Sequence, residues 1–81
     1  MHVTIRLFAR LRDLAGTHEL ACDLPAEATV AGAWRALVAS HPALAPYGSS
    51  VSAAVNDDYA KLDARVHDGD DVAFLPPVSG G

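Results

Sequence analysis

An α+β roll, with one amphipathic helix laid across one face of a mixed sheet of four or five strands, is predicted by three features of this chain. Short stretches of alternating apolar and polar residues open and close it, and a single long helical pattern lies between them. At 81 residues there is room for one domain, residues 1–81, and one small core. One helix covers only one face of such a sheet, so the other face is left to solvent.

The elements follow in order. From His2 to Phe8, Val3, Ile5 and Leu7 point one way, and His2, Thr4, Arg6 and Phe8 the other, which marks a half-buried strand. Ala9 to Ala15 has no β-branched residue and runs into Gly16, a short helical turn with a glycine stop. His18 to Leu24 alternates again, with Leu20, Cys22 and Leu24 inward, and Pro25 closes that strand. Thr29 is a good N-cap for a helix to about Ser40. Val30, Ala33, Trp34, Leu37 and Val38 fall on one face of it. Gly32 is out of place there, since a helical glycine costs up to about 1 kcal/mol relative to alanine. His41-Pro42 ends the helix, and a loop with room for a helical turn runs from Pro42 to Ser50.

Val51, Ala53 and Val55 point inward from a third strand. Asn56-Asp57-Asp58 is a turn, Tyr59 to Leu62 a short strand, Asp68-Gly69 another turn, and Val72 to Leu75 the last strand. Strands, one helix and strands again, folded as a roll, form the β-grasp or ubiquitin-like architecture. There the first and last strands are central parallel neighbours, an expectation that comes from the architecture and not from periodicity.

Bulk properties exclude several functions. The net charge of −4 argues against nucleic acid, which requires a basic face. A single cysteine, Cys22, allows no disulfide within a monomer and fits a reducing cytoplasm. No apolar run approaches the roughly 20 residues of a membrane span. His2, His18, His41 and His67 are scattered without metal-ligand spacing, and Asp68, Asp70 and Asp71 lack the pattern of a calcium loop. Inward-facing Cys22 is core packing, not a nucleophile. There is no phosphate-binding glycine loop, and Lys61 is the single lysine. No metal or bound cofactor is expected.

Two features remain. Phe8 and Leu75 lie on the open face at the ends of the first and last strands, with Tyr59, Ala54 and Ala73 placed to extend an apolar patch of the kind that marks interaction sites. Beyond the last strand, Pro76-Pro77-Val78-Ser79-Gly80-Gly81 reads as a flexible tail with a stiff base and a thin tip. Extended, its six residues reach about 20 Å. Taken alone, Gly80-Gly81 reads more plainly as a frayed end. Beside the patch it reads as a carboxylate to be threaded into a partner. That carboxylate is unreactive until activated, most simply by adenylation in a partner that binds ATP. The acyl-adenylate then accepts an amine, giving a conjugate, or sulfide, giving a thiocarboxylate, and the residues alone do not choose between them.

The strings Phe8-Ala9-Arg10-Leu11-Arg12-Asp13-Leu14-Ala15-Gly16, Ala54-Val55-Asn56 and Asp68-Gly69-Asp70-Asp71-Val72-Ala73-Phe74-Leu75-Pro76-Pro77-Val78-Ser79-Gly80-Gly81 resemble the small-subunit family of molybdopterin synthase. The resemblance runs the length of the chain, and only the middle, Ala26 to Ser50, is generic. It implies a ubiquitin-like sulfur carrier, not an enzyme on its own. A ubiquitin-activator-like adenylyltransferase would use ATP in trans on Gly81, with Gly80 beside it, and a sulfurtransferase would convert it to the thiocarboxylate. The large synthase subunit would then receive the tail and pass sulfur to cyclic pyranopterin monophosphate, in a heterotetramer of two small and two large subunits. By position, Phe8, Tyr59 and Leu75 match the family's docking patch, and Pro76, Pro77, Val78, Ser79, Gly80 and Gly81 its inserted tail. Tyr59 departs from the aliphatic residue expected there, and some relatives carry an aromatic residue at Leu75. The other readings are a sulfur carrier for thiamine, cysteine or a secondary metabolite, a ubiquitin-like modifier, and a plain interaction domain.

Overall fold

A computed structural model describes residues 1–77 of the chain. Its elements are β1 (His2–Leu7), α1 (Ala9–Ala15), β2 (Glu19–Asp23), α2 (Val30–Ser40), a 3-10 helix (Pro42–Tyr47), β3 (Ser52–Val55), β4 (Asp58–Ala60) and β5 (Asp71–Leu75). The strands form one sheet in the order β2-β1-β5-β3-β4. β1 and β5 pair in parallel, and every other pairing is antiparallel. The chain has the β-grasp fold, with its last strand at the centre of the sheet.

Each strand's alternation sorts its side chains between a covered and an open face. Val3, Ile5 and Leu7 of β1, Ala53 of β3, and Val72 and Phe74 of β5 are buried beneath α2. The helix contributes Val30, Ala33, Trp34 and Leu37, while Val38 is only partly buried. Trp34 meets Phe74 edge to face, with ring centroids 5.1 Å apart, a favoured geometry for an aromatic pair. Leu11 of α1, Leu44 of the 3-10 helix, Leu24 and Val66 complete the core. Cys22 is half-buried against the core, and burial pushes its thiol pKa up, with Asp23 adding to the effect. That fits the packing role expected of it.

The start of α2 is closed by the chain itself. The first N–H groups of a helix have no partner inside it. Here Val30 N–H donates to the Ala64 carbonyl at 2.9 Å and Ala31 N–H to the Leu62 carbonyl at 2.8 Å. Gly32 N–H donates to Thr29 Oγ1 at 3.2 Å, the cap expected from the sequence. Feeding the helix ends the fourth strand early. The strand expected over Tyr59 to Leu62 stops at Ala60, because the chain leaves the sheet edge to bring Leu62 and Ala64 to α2.

The turns follow their residues. Gly16 ends α1 in the left-handed region at φ +75°, and its N–H donates to the Arg12 carbonyl. Asn56 and Asp57, at φ +51° and +73°, form the two-residue link of the β3–β4 hairpin, a tight turn with both central residues left-handed. Gly32 has no such requirement. A Cβ added there would meet nothing closer than 3.7 Å. Gly32→Ala is therefore expected to raise stability by about 0.5–1 kcal/mol, measured as an upward shift of the urea midpoint. A lower midpoint would mean that the site is tighter than this geometry.

Candidate docking face and tail root

β5 carries the tail, and its place between β1 and β3 fixes where the tail leaves the domain. Leu7 pairs with Phe74, so Phe8 follows at the level of Leu75 on the neighbouring strand, about 4.8 Å away across the sheet. Both point to the open face: Phe8 is 45% exposed and Leu75 half-buried. The chain turns sharply after Phe8, because Ala9 takes a left-handed φ of +50°. That conformation costs a non-glycine residue about 1–2 kcal/mol. The kink leaves Phe8 on the open side while Leu11 swings under the core.

The adjacent row across the sheet runs Arg6, Ala73, Ala54 and Tyr59, each pair in register. Tyr59 is 87% exposed. Ser52, opposite Leu75, lies between the two aromatic residues with Ala54. The result is a low floor of Ala73, Ala54 and Ser52, flanked by Phe8 and Leu75 on one side and Tyr59 on the other. Strand parity predicts the placements of Phe8 and Leu75. Leu62, 40% exposed near Tyr59, is the apolar surface residue that sequence reasoning missed. Its assignment to a strand obscured the departure of the chain from the sheet at that point.

Charge bounds this floor. Arg6 Nε donates to Asp71 Oδ2 at 2.6 Å and Arg6 Nη1 to Glu19 Oε1 at 2.7 Å, pairing the cation in the sheet with carboxylates on both neighbouring strands. The hydrogen bond to Asp71, its charge and that of Glu19 raise the guanidinium pKa further. Below them Asn56 ties the β3–β4 turn to β5. Its side-chain oxygen accepts from Asp71 N–H, and its amide donates to Asp70 Oδ1, each at 3.0 Å. The Asn56 amide and the His67 N–H hold the Asp70 carboxyl below the usual carboxylate range. This network clamps β3 to the start of β5, the strand whose far end is the root of the tail.

Pro76 is half-buried and Pro77 exposed. Val78, Ser79, Gly80 and Gly81, assigned to the tail by the sequence, lie outside the described residues. Among the described residues no group of histidine, cysteine and carboxylate side chains is placed to hold a metal ion. No helix there is long and apolar enough to cross a membrane.

A β-grasp sheet with an apolar open face and a tail on its central strand fits several families. The ThiS family profile matches residues 5–81, through both terminal glycines. This chain belongs to the ThiS family. Its relatives lie at moderate distance. The chain is 39% identical to the molybdopterin synthase sulfur carrier subunit of Escherichia coli, over 98% of this chain and 99% of that one. It is 35% identical to the subunit of the same name from Arabidopsis thaliana, over 100% of this chain and 84% of the relative. Among solved structures, that of SAMP1 from Haloferax volcanii superimposes with a TM-score of 0.89 at 35% identity, covering both chains completely. The ThiS-family match includes the four residues beyond the described structure, so the tail is part of what this chain shares with its family.

Proposed function

We propose that this chain is the sulfur carrier subunit of a molybdopterin synthase. The observation that carries the reading is the joining of an apolar open face, Phe8 with Leu75, to a tail launched from the same end of the central strand. The names of the Escherichia coli and Arabidopsis relatives support it. A face that docks and a thin tail that enters serve delivery of one reactive group to a partner's active site.

The chemistry belongs to Gly81. An adenylyltransferase joins its carboxylate to AMP at the expense of ATP, releasing pyrophosphate. Sulfide, delivered by a sulfurtransferase, then displaces AMP and leaves the thiocarboxylate. Phe8, Tyr59 and Leu75 dock on the large synthase subunit, and Pro76, Pro77, Val78, Ser79 and Gly80 line the path of the inserted tail. Sulfur passes there to cyclic pyranopterin monophosphate in a cytoplasmic heterotetramer of two small and two large subunits. The carrier is a sulfur donor without catalytic groups of its own, and ATP is bound by its activator. A second reading, protein modification through the same adenylate, is supported by the likeness to SAMP1, named a small archaeal modifier protein. The acceptor separates the two: sulfide gives a carrier, a lysine amine a modifier.

Intact mass after incubation with ATP, a sulfide source and the cognate activating enzyme tests the reading. Replacement of one oxygen by sulfur, mapped to the Gly80-Gly81 end, is the expected result. An unchanged mass beside a competent activator would reject it. Docking is tested separately by Phe8→Asp, which places a charge in the patch beside Leu75. A loss of affinity for the large subunit of at least about tenfold is expected, and equal affinity by titration calorimetry would remove Phe8 from the interface.

A further inference from the structure

Away from the tail, α2 and the sheet edge enclose a groove lined by Leu24, Pro25, Ala28, Gly32, Arg35 and Ala36. We propose that this groove and the adjoining end of β2 bind an extended segment of a partner protein, paired as a further strand, with an apolar side chain in the groove and a carboxylate on Arg35.

Three observations specify that occupant. The first is the edge itself. β2 is the outermost strand, with β1 on its inner side. Leu7 N–H donates to His18 O, and Leu24 N–H to Met1 O. With the register between them, these bonds turn the backbone groups of Leu20 and Cys22 inward and those of Glu19, Ala21 and Asp23 outward. The Thr17 hydroxyl donates to the Glu19 carbonyl at 2.9 Å and accepts from its N–H at 3.4 Å, closing that end of the edge. Ala21 and Asp23 stay open among the described residues, and it is their end that adjoins the groove. Open amides and carbonyls on a sheet edge take an extended backbone.

The second observation is the groove floor. Ala28, Gly32 and Ala36 form one small-residue face of the helix side, and Gly32 sits there at a cost in helix stability without any steric need. Residues that break a local rule gather at functional or strained sites, and no strain is present at Gly32. Here the missing side chain leaves space for an apolar group from outside.

The third is charge. Of the ionic groups at the groove, Asp23 lies 3.7 Å from the amino group of Met1 and 3.5 Å from His2, and Glu27 pairs with Arg65 at 3.1 Å. Arg35 is exposed and has no ionic partner among the described residues. A Cβ on Gly32 would stand 3.9 Å from Arg35 Nη2, so the guanidinium lies over the groove where an incoming carboxylate would meet it. Asp23 lines the groove and pairs with His2 at the start of β1. Phe8 follows the other end of that strand, about 20 Å away. A partner seated in the groove leaves the tail and the docking face free.

The probe is the hexapeptide acetyl-Ser-Val-Ile-Val-Glu-Ser-amide, with a control carrying Gln for Glu, titrated into the isotope-labelled full chain and followed by amide NMR. Shifts confined to Ala21–Asp23 and Ala28–Ala36 are expected, with the Gln peptide about threefold to fivefold weaker. Gly32→Leu fills the groove at a position where a Cβ makes only ordinary contacts, none under 3.7 Å, and should keep the fold. It is expected to weaken binding by an order of magnitude or more. Arg35→Gln should erase the Glu-over-Gln preference and keep the Gln peptide's affinity. Four results would each overturn the proposal: no binding, shifts centred on Phe8 and Tyr59, unchanged affinity in Gly32→Leu, or the same shifts on concentrating the chain alone, which would assign the edge to a second copy.

Discussion

One alanine added after Gly81 is expected to abolish sulfur loading while leaving thermal unfolding unchanged. The extension converts the reacting carboxylate into an ordinary amide and moves the new carboxylate about 3.5 Å along the chain. Misplacement of a reacting group by roughly 1 Å already costs on the order of 100-fold, so the loss should exceed that factor. The folded domain is not touched, because the core ends at Phe74 and the tail root at Leu75. Intact mass after activation reads the first effect and a thermal melt the second. Full thiocarboxylate yield from the extended chain would remove Gly81 from the mechanism. Lost yield together with a lowered melting temperature would instead place the tail within the fold.

Phe74→Ala carries the largest expected effect on stability. Phe74 is fully buried, sits on the central strand and packs edge to face against Trp34. Truncating such a side chain costs about 3–5 kcal/mol. A domain of 81 residues has about 4–12 kcal/mol in all. The variant should therefore lose a large part of its stability. Urea denaturation measures the loss directly. Leu75→Ala, one residue on and on the open face, provides the contrast: nearly unchanged stability with weaker docking. Equal destabilisation by the two substitutions would contradict the division of β5 into a covered and an open face.

The sequence and the fold agree most closely where a side chain alone decides the outcome. Alternation placed Val3, Ile5, Leu7, Val72 and Phe74 under the helix, and left Phe8 and Leu75 outside, because a strand has only two faces. Thr29 and Gly16 announced helix ends through side-chain chemistry specific to those positions. Leu11, Leu44 and Val66 belong to the core yet lie in segments too short for a periodic signal. The capping of α2 by Leu62 and Ala64 was equally invisible, since backbone carbonyls do that work and any residue supplies one. The same blindness set the end of β4 two residues too late and hid Leu62 on the surface. The groove beside β2 was legible only as an unexplained glycine at position 32.

The parallel pairing of β1 with β5 also governs how this chain folds. The β1–β2 and β3–β4 pairs are local, and within the sheet it is β5 that pairs with both and joins them. Arg6 and Asp71, bonded across that junction, are 65 residues apart in sequence. Closing so long a loop must precede the contacts that repay it, which slows folding relative to helical domains of similar size. Until β5 inserts, two hairpins with bare inner edges share a half-built core, a state open to pairing with other chains. The strand that presents the tail is thus the one that completes the sheet, and a chain whose tail is correctly displayed has already finished folding.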